Sequence, residues 1–175
     1  QKGSATASGS SVNITSSTLS EGSYTFYANS ADSLGNTSSC SSASVSYEVD
    51  TSAPSAPSGL SLQSPNSSPG NDSTPTLTVS GVNSGDTVTI YSESSCSTSR
   101  GSANSSGNSA QVISSTLSSE GSYTFYAKTT DAAGNISGCS SASVTYVLDT
   151  TAPVVPISLS LLSPSSSPGL DPTPT

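Results

Sequence analysis

Hydrophobic and polar residues alternate in short runs along this chain. From Ser122 to Thr130, Tyr123, Phe125 and Ala127 fall on one side, and Thr124, Tyr126 and Lys128 fall on the other. Period-two alternation of this kind marks a half-buried β-strand. Seven runs between Thr51 and Asp149 read as strands. Gly59–Gln63 sets Leu60 and Leu62 on one face, Thr74–Gly81 sets Leu77 and Val79 inward, and Thr87–Ser92 does the same with Val88 and Ile90. Arg100–Asn104 is a weak fourth and Gln111–Ser115 a fifth. Ser122–Thr130 is the sixth. Ser141–Leu148 is the seventh, with Ala142, Val144, Tyr146 and Leu148 together. The stretch Ser64–Ser73 is rich in Pro, Gly, Asn and Ser and reads as a loop, while Asn83–Asp86 reads as a tight turn. No stretch gives a helix signal, so the class is all-β.

The pattern repeats. Leu117–Asn135 (LSSEGSYTFYAKTTDAAGN) nearly duplicates Leu19–Asn36 (LSEGSYTFYANSADSLGN). Glu21 and Glu120 lie 99 residues apart (120 − 21 = 99), as do Tyr47 and Tyr146, and Asp50 and Asp149. Tyr47–Thr76 likewise aligns with Tyr146–Thr175. Residues 1–50 therefore read as the C-terminal half of one repeat, 51–149 as a complete repeat, and 150–175 as the start of a third. Units in such arrays keep their own cores and meet only at their poles. The first half-repeat lacks its first three strands, so its completion is expected from chain ahead of Gln1 or from a neighbour. Each repeat should add on the order of 40 Å of length, and the Pro-rich junction Thr51–Pro57 should limit swing.

Composition first suggests disorder. Only 8% of residues are charged and serine is very abundant, a profile that often fails to bury a core. The ordered alternation overrides that suggestion. The net charge of −8 with three Lys+Arg argues against a nucleic-acid partner, because a phosphate track needs cations to neutralise it. No apolar run approaches the ~18 residues of a membrane span. Gln1 falls in mid-repeat, so the lack of a visible leader says nothing about targeting. The chain has no His, which removes the usual general base, and no Ser sits in a nucleophile motif. An enzyme is not expected.

Seven strands in about a hundred residues point to an immunoglobulin-like sandwich, and the repetition makes the fold class tandem immunoglobulin-like seven-strand β-sandwiches. Glu120–Tyr123 then falls at the corner before the sixth strand, where a Tyr bonds back to upstream backbone. Phe125 stands where antibody domains place a core Cys. The order Leu…Gly-x-Tyr-Thr-x-x-Ala…Asp-x-x-Gly-Asn, followed by a strand and Asp-Thr-Thr-Ala-Pro, resembles the bacterial Ig-like tandem repeats of large surface adhesins. That resemblance covers nearly the whole chain. It implies a rod of many copies, secreted to the cell surface, often with calcium at the junctions.

Cys40 and Cys139 occupy the same repeat position (139 − 40 = 99), and the counterpart of Cys96 would lie just before Gln1. Two cysteines per repeat in an extracellular chain suggest disulfides. If each strand spans the sandwich, Cys96 and Cys139 lie at opposite poles, on the order of 20 Å apart, too far for a bond. That geometry favours a disulfide between repeats over one within the repeat, and leaves free thiols as a third reading.

Asp86 lies in the turn between strands two and three, and Asp131 and Asn135 in the loop between strands six and seven. Both connections sit at the pole where the preceding repeat delivers Asp50. These are hard oxygen donors of the kind Ca²⁺ takes. The commoner reading of Asp and Asn in such places is that they shape turns through their own backbone. Both readings stand open.

Other signals are weaker. Asn13, Asn36, Asn66, Asn71, Asn104 and Asn135 begin Asn-x-Ser/Thr triplets that a serine-rich chain produces by chance. Lys128 suggests an intramolecular crosslink, but its counterpart is Asn29. Tyr27 and Tyr126 point away from the core and read as outer-face strand residues. The functional expectation is a segment of an extracellular, cell-surface rod, a stalk or filament, whose partners are neighbouring repeats. The alternatives are a glycan- or protein-binding module and a self-assembling fibre subunit.

Overall fold

A computed structural model describes residues 1–163 together with 168, 170, 172 and 173. It contains nine strands: β1 (Gly22–Phe26), β2 (Val45–Val49), β3 (Gly59–Ser64), β4 (Thr76–Ser80), β5 (Thr87–Tyr91), β6 (Ser99–Asn104), β7 (Ser109–Ile113), β8 (Gly121–Thr130) and β9 (Val144–Leu148). Strands β3 to β9 are the seven expected of the complete repeat. They form two sheets, one ordered β3-β4-β7 and the other β6-β5-β8-β9, which face each other as an immunoglobulin-like sandwich.

The core follows the alternation. Leu77 and Val79 on β4, Val88 and Ile90 on β5, Val112 on β7, Phe125 and Ala127 on β8, and Tyr146 on β9 are fully buried. Burial drives this packing at about 1.5–3 kcal/mol for each large side chain. Tyr146 satisfies its buried hydroxyl by donating to Asp72 O at 2.9 Å, and burial pushes its phenol above the ordinary value. The corner is present in both copies: Tyr123 donates to Ser119 O at 2.7 Å and Tyr24 to Ser20 O at 2.9 Å.

One boundary moves. The fifth strand of the repeat, β7, starts two residues earlier than Gln111, because Ser106–Ser109 closes a turn whose Ser106 N donates to Ser109 O. Gly107 takes φ +66° there, a conformation that favours glycine. Ser114 then leaves the ladder and donates its N–H to Pro75 O.

β8 holds its sheet together. Its first half, Gly121–Phe125, pairs with β9, and its second half, Tyr126–Thr130, pairs with β5. Each neighbour is half its length. That offset corrects the favoured disulfide. Cys96 and Cys139 are bonded to each other within the complete domain, with Cα atoms 5.9 Å apart. β5 does not run the height of the sandwich but ends at Tyr91, level with Tyr126. β9 begins only at Val144, and the segment before it climbs beside β8, with Ser140 N donating to Ala127 O. Both cysteines thus approach the middle of β8 from its two sides, and the bond bridges across it. Cys40 is a free, exposed thiol.

The first copy shows β1 and β2 paired in the same register as β8 and β9, Gly22 opposite Val49 as Gly121 is opposite Leu148. Tyr47 is 59% exposed where its counterpart Tyr146 is 0%, because no second sheet faces this pair. Residues 150–163 carry no strand, and Leu159, the counterpart of core-facing Leu60, is wholly exposed. A strand at β3 is ordered by pairing with β4, and 150–163 have no such partner among the described residues. The rest of the expected third repeat falls partly on 164–167, 169, 171, 174 and 175, outside the described residues.

The Cys96–Cys139 loop closes 43 residues of separation, for which loop closure gives a stabilisation of about 4 kcal/mol. Cys96→Ser with Cys139→Ser should lower unfolding free energy by about that amount in chemical denaturation, with the same β-sheet circular dichroism. Non-reducing peptide mapping should return a Cys96–Cys139 pair, and a cross-linked pair joining two repeats would contradict the topology.

Candidate functional site

The pole at which the chain comes into the complete domain, the leading pole, gathers most of the polar chemistry. The pairing Thr87↔Thr130 ends the β5–β8 ladder, so the residues just beyond it, Asp86 and Asp131, emerge side by side. The turn that presents Asp86 is closed by Asp86 N donating to Asn83 O at 3.3 Å. Gly85 makes that turn at φ +92°, where a side chain would be strained.

Asp50, at the end of the first copy, reaches the same place. Asp50, Asp86 and Asp131 line one cleft of about 390 Å³ together with Glu48, Ala132 and Ala133. Asp86 is only 7% exposed, and its Oδ2 is buried with no hydrogen-bond partner. Such an atom carries a desolvation cost of about 1–3 kcal/mol or more. Every acidic donor here is a hard oxygen. Among the described residues, no three His, Cys, Asp or Glu side chains stand close enough to hold a metal ion where they now lie.

Asp131 and Asn135 have a second employment. Asp131 Oδ1 accepts Ala133 N and Asn135 N, each at 2.9 Å, and Oδ2 accepts Asn135 Nδ2 at 3.0 Å. These bonds, Asn135 foremost, hold the Asp131 carboxyl below its ordinary value. Asp32 and Asn36 repeat the arrangement in the first copy, with Asn36 Nδ2 donating to Asp32 Oδ2 at 2.8 Å. The loop is thus shaped from within, as Asp and Asn side chains do in turns. Asn135 adds one bond across the junction, donating from Nδ2 to Asp50 O at 3.1 Å.

The linker is gripped from both sides. Downstream, Asn135 takes the Asp50 carbonyl, Thr129 donates Oγ1 to Ser55 O at 3.1 Å, and Pro57 is fully buried. Upstream, the Glu21 carboxylate accepts Thr51 Oγ1 and Ser52 Oγ at 2.8 Å each. The same clasp recurs at the far pole, where Glu120 accepts Thr150 N at 2.8 Å, Thr150 Oγ1 at 2.7 Å and Thr151 Oγ1 at 2.8 Å.

Sequence reading brought Asp50, Asp86 and Asp131 to this pole and missed Glu48 and the glutamate clasps. The clasps left a trace: Glu and two hydroxyl residues keep their positions in both copies. So do Ser137 and Ser140, whose hydroxyls accept the Thr129 and Ala127 amides at 2.9 and 3.0 Å. Glu48 left no such trace, because its counterpart is Val147.

The sequence profile described as bacterial Ig-like domain matches residues 62–150, just over half of the chain. Among solved structures, one titled "Biofilm associated protein - BSP domain" aligns with 80% of this chain at 22% identity and a TM-score of 0.36. The chain spans 21% of that structure's length. No curated protein matches the sequence. No helix among the described residues is long and apolar enough to cross a membrane.

The clasp should be pH-sensitive in a defined direction. The Thr150 and Thr151 bonds hold the Glu120 carboxyl below its ordinary value of 4.5. A depressed folded value means that the contribution is complete above 4.5 and is lost as pH falls through the depressed value. The Thr150 amide resonance should therefore hold steady from neutral pH down to 4.5 and move only below it. Glu120→Ala should remove the titration, and a midpoint above 4.5 would contradict the clasp.

Proposed function

The chain belongs to the bacterial Ig-like domain family, and from that premise we propose that it is a segment of an extracellular rod on a bacterial surface, built from tandem sandwiches. The observation that carries this reading is the linker. A flexible tether needs no side chains along it, but Thr51, Ser52 and Ser55 and the Asp50 carbonyl are each hydrogen-bonded to a sandwich. A linker held on both sides transmits direction from one repeat to the next. The printed name of the structural neighbour, a biofilm-associated protein, fits a surface role for such a segment.

We also propose that the leading-pole cleft takes a calcium ion. Asp50, Asp86 and Asp131 would hold it, with Asn135 fixing the Asp50 backbone beside them. The fit is chemical: all three donors are carboxylates, and the buried Asp86 Oδ2 lacks a partner. Calcium there would supply positive charge that lets carboxylates from two repeats approach each other. Asp50 comes from the upstream copy and Asp86 from the downstream one, so the ion would couple the two.

The proposal is tested on the 175-residue chain by sedimentation and thermal melting, with calcium and with chelator. A rod segment should sediment as an elongated monomer at all concentrations. Saturating calcium at a hundred times Kd should stabilise it by about 2.7 kcal/mol and alter its hydrodynamic radius. Concentration-dependent polymerisation would favour a fibre subunit and saturable glycan binding a lectin-like module. Melting that ignores the chelator, with an unchanged radius, would remove calcium from the account.

A further inference from the structure

The leading-pole cleft contains a fourth carboxylate that the repeat itself does not encode. Glu48 lies on β2 and lines the cleft with Asp50, Asp86 and Asp131. Residues two apart on an extended chain point to the same side, which carries Glu48 and Asp50 toward the cleft together. The complete domain ends differently. Asp149 is the counterpart of Asp50, but the counterpart of Glu48 is Val147 (147 − 48 = 99). The tail leaving the first copy thus brings two carboxylates to its junction, and the tail leaving the complete domain brings one.

We propose that Glu48 is a cation-binding residue particular to the junction ahead of the complete domain, and makes that junction a tighter divalent-cation site than the one that follows. The inference rests on the calcium reading above and deepens it. An acidic cluster alone would be only a solvated face. Here the cluster surrounds Asp86, which is 7% exposed with an unpartnered Oδ2, so a cation is the group that the cleft lacks. Ligand charge sets the affinity of oxygen sites for calcium. Four carboxylates around one cleft hold a divalent ion more strongly than three. They also repel each other more when it is removed, so the same residue makes the junction both tighter with calcium and looser without it. Junctions along the proposed rod would then respond to different calcium levels, according to whether Glu or Val occupies this position.

The test titrates calcium chloride into the 175-residue chain by calorimetry, for wild type, Glu48→Gln, Glu48→Val and Asp86→Asn. Melting in chelator is measured alongside, to show that the exposed Glu48 position leaves the fold intact. Wild type should bind calcium at this junction, and both Glu48 variants should bind it roughly tenfold more weakly or worse. The Asp86 backbone amide should respond to calcium in wild type and need correspondingly more calcium in the Glu48 variants. If the Glu48 variants bind as wild type does while Asp86→Asn loses binding, the role of Glu48 is overturned and the calcium site stands. If wild type itself shows no binding, both are overturned.

Discussion

The domain depends on the way β8 is shared. Ten residues long, it pairs β9 along its first half and β5 along its second. Its inward side chains, Phe125, Ala127 and Thr129, are fully buried along the middle of the sandwich. Everything functional is placed relative to this strand. The tyrosine corner and the Glu120 clasp sit at its start. The Cys96–Cys139 bond crosses its middle. Asp131 leaves its end, beside Asp86, because β5 stops pairing at Thr87. A register slip by one residue would turn the core side chains outward and move Asp131 away from Asp86.

Much of this was legible from alternation and repetition. The inner faces of all the long strands, the corner at Tyr123 and the meeting of Asp50, Asp86 and Asp131 follow from strand order and period alone. The disulfide was not legible, for a physical reason. Alternation shows which way side chains face but not how far a strand runs against its neighbour. Taking β5 and β9 as full-height strands put Cys96 and Cys139 at opposite poles. Both are five residues long and end near the middle of β8, which brings the thiols together. The start of β7 was misread because Ser106–Ser109 lacks the usual turn pairs, and only Gly107 marks it. Ser137 and Ser140 were invisible for another reason. Their hydroxyls stand in for ladder carbonyls beside β8, and in a chain this rich in serine no single hydroxyl draws notice.

The junction joins these threads. Hydroxyl-bearing residues in the linker meet a carboxylate from the repeat behind and hydrogen-bonding side chains from the repeat ahead. These bonds are individually modest, about 1 kcal/mol each, and several of the partners are exposed. Their value lies in number and in position: each removes a rotation that the linker would otherwise have. The buried Asp86 Oδ2 is the one expensive group in the arrangement, and it lies where the preceding repeat ends. A polar atom left without a partner at a junction between repeats is the feature that ties the proposed rod to the proposed ion.

Inter-repeat order can be measured directly through residual dipolar couplings of backbone amides in 22–49 and 59–149, recorded on the 175-residue chain with calcium. The account predicts that a single alignment tensor fits both sets, and that chelator makes the two sets diverge. Two unequal tensors with calcium already present would contradict it, because the linker would then be a tether.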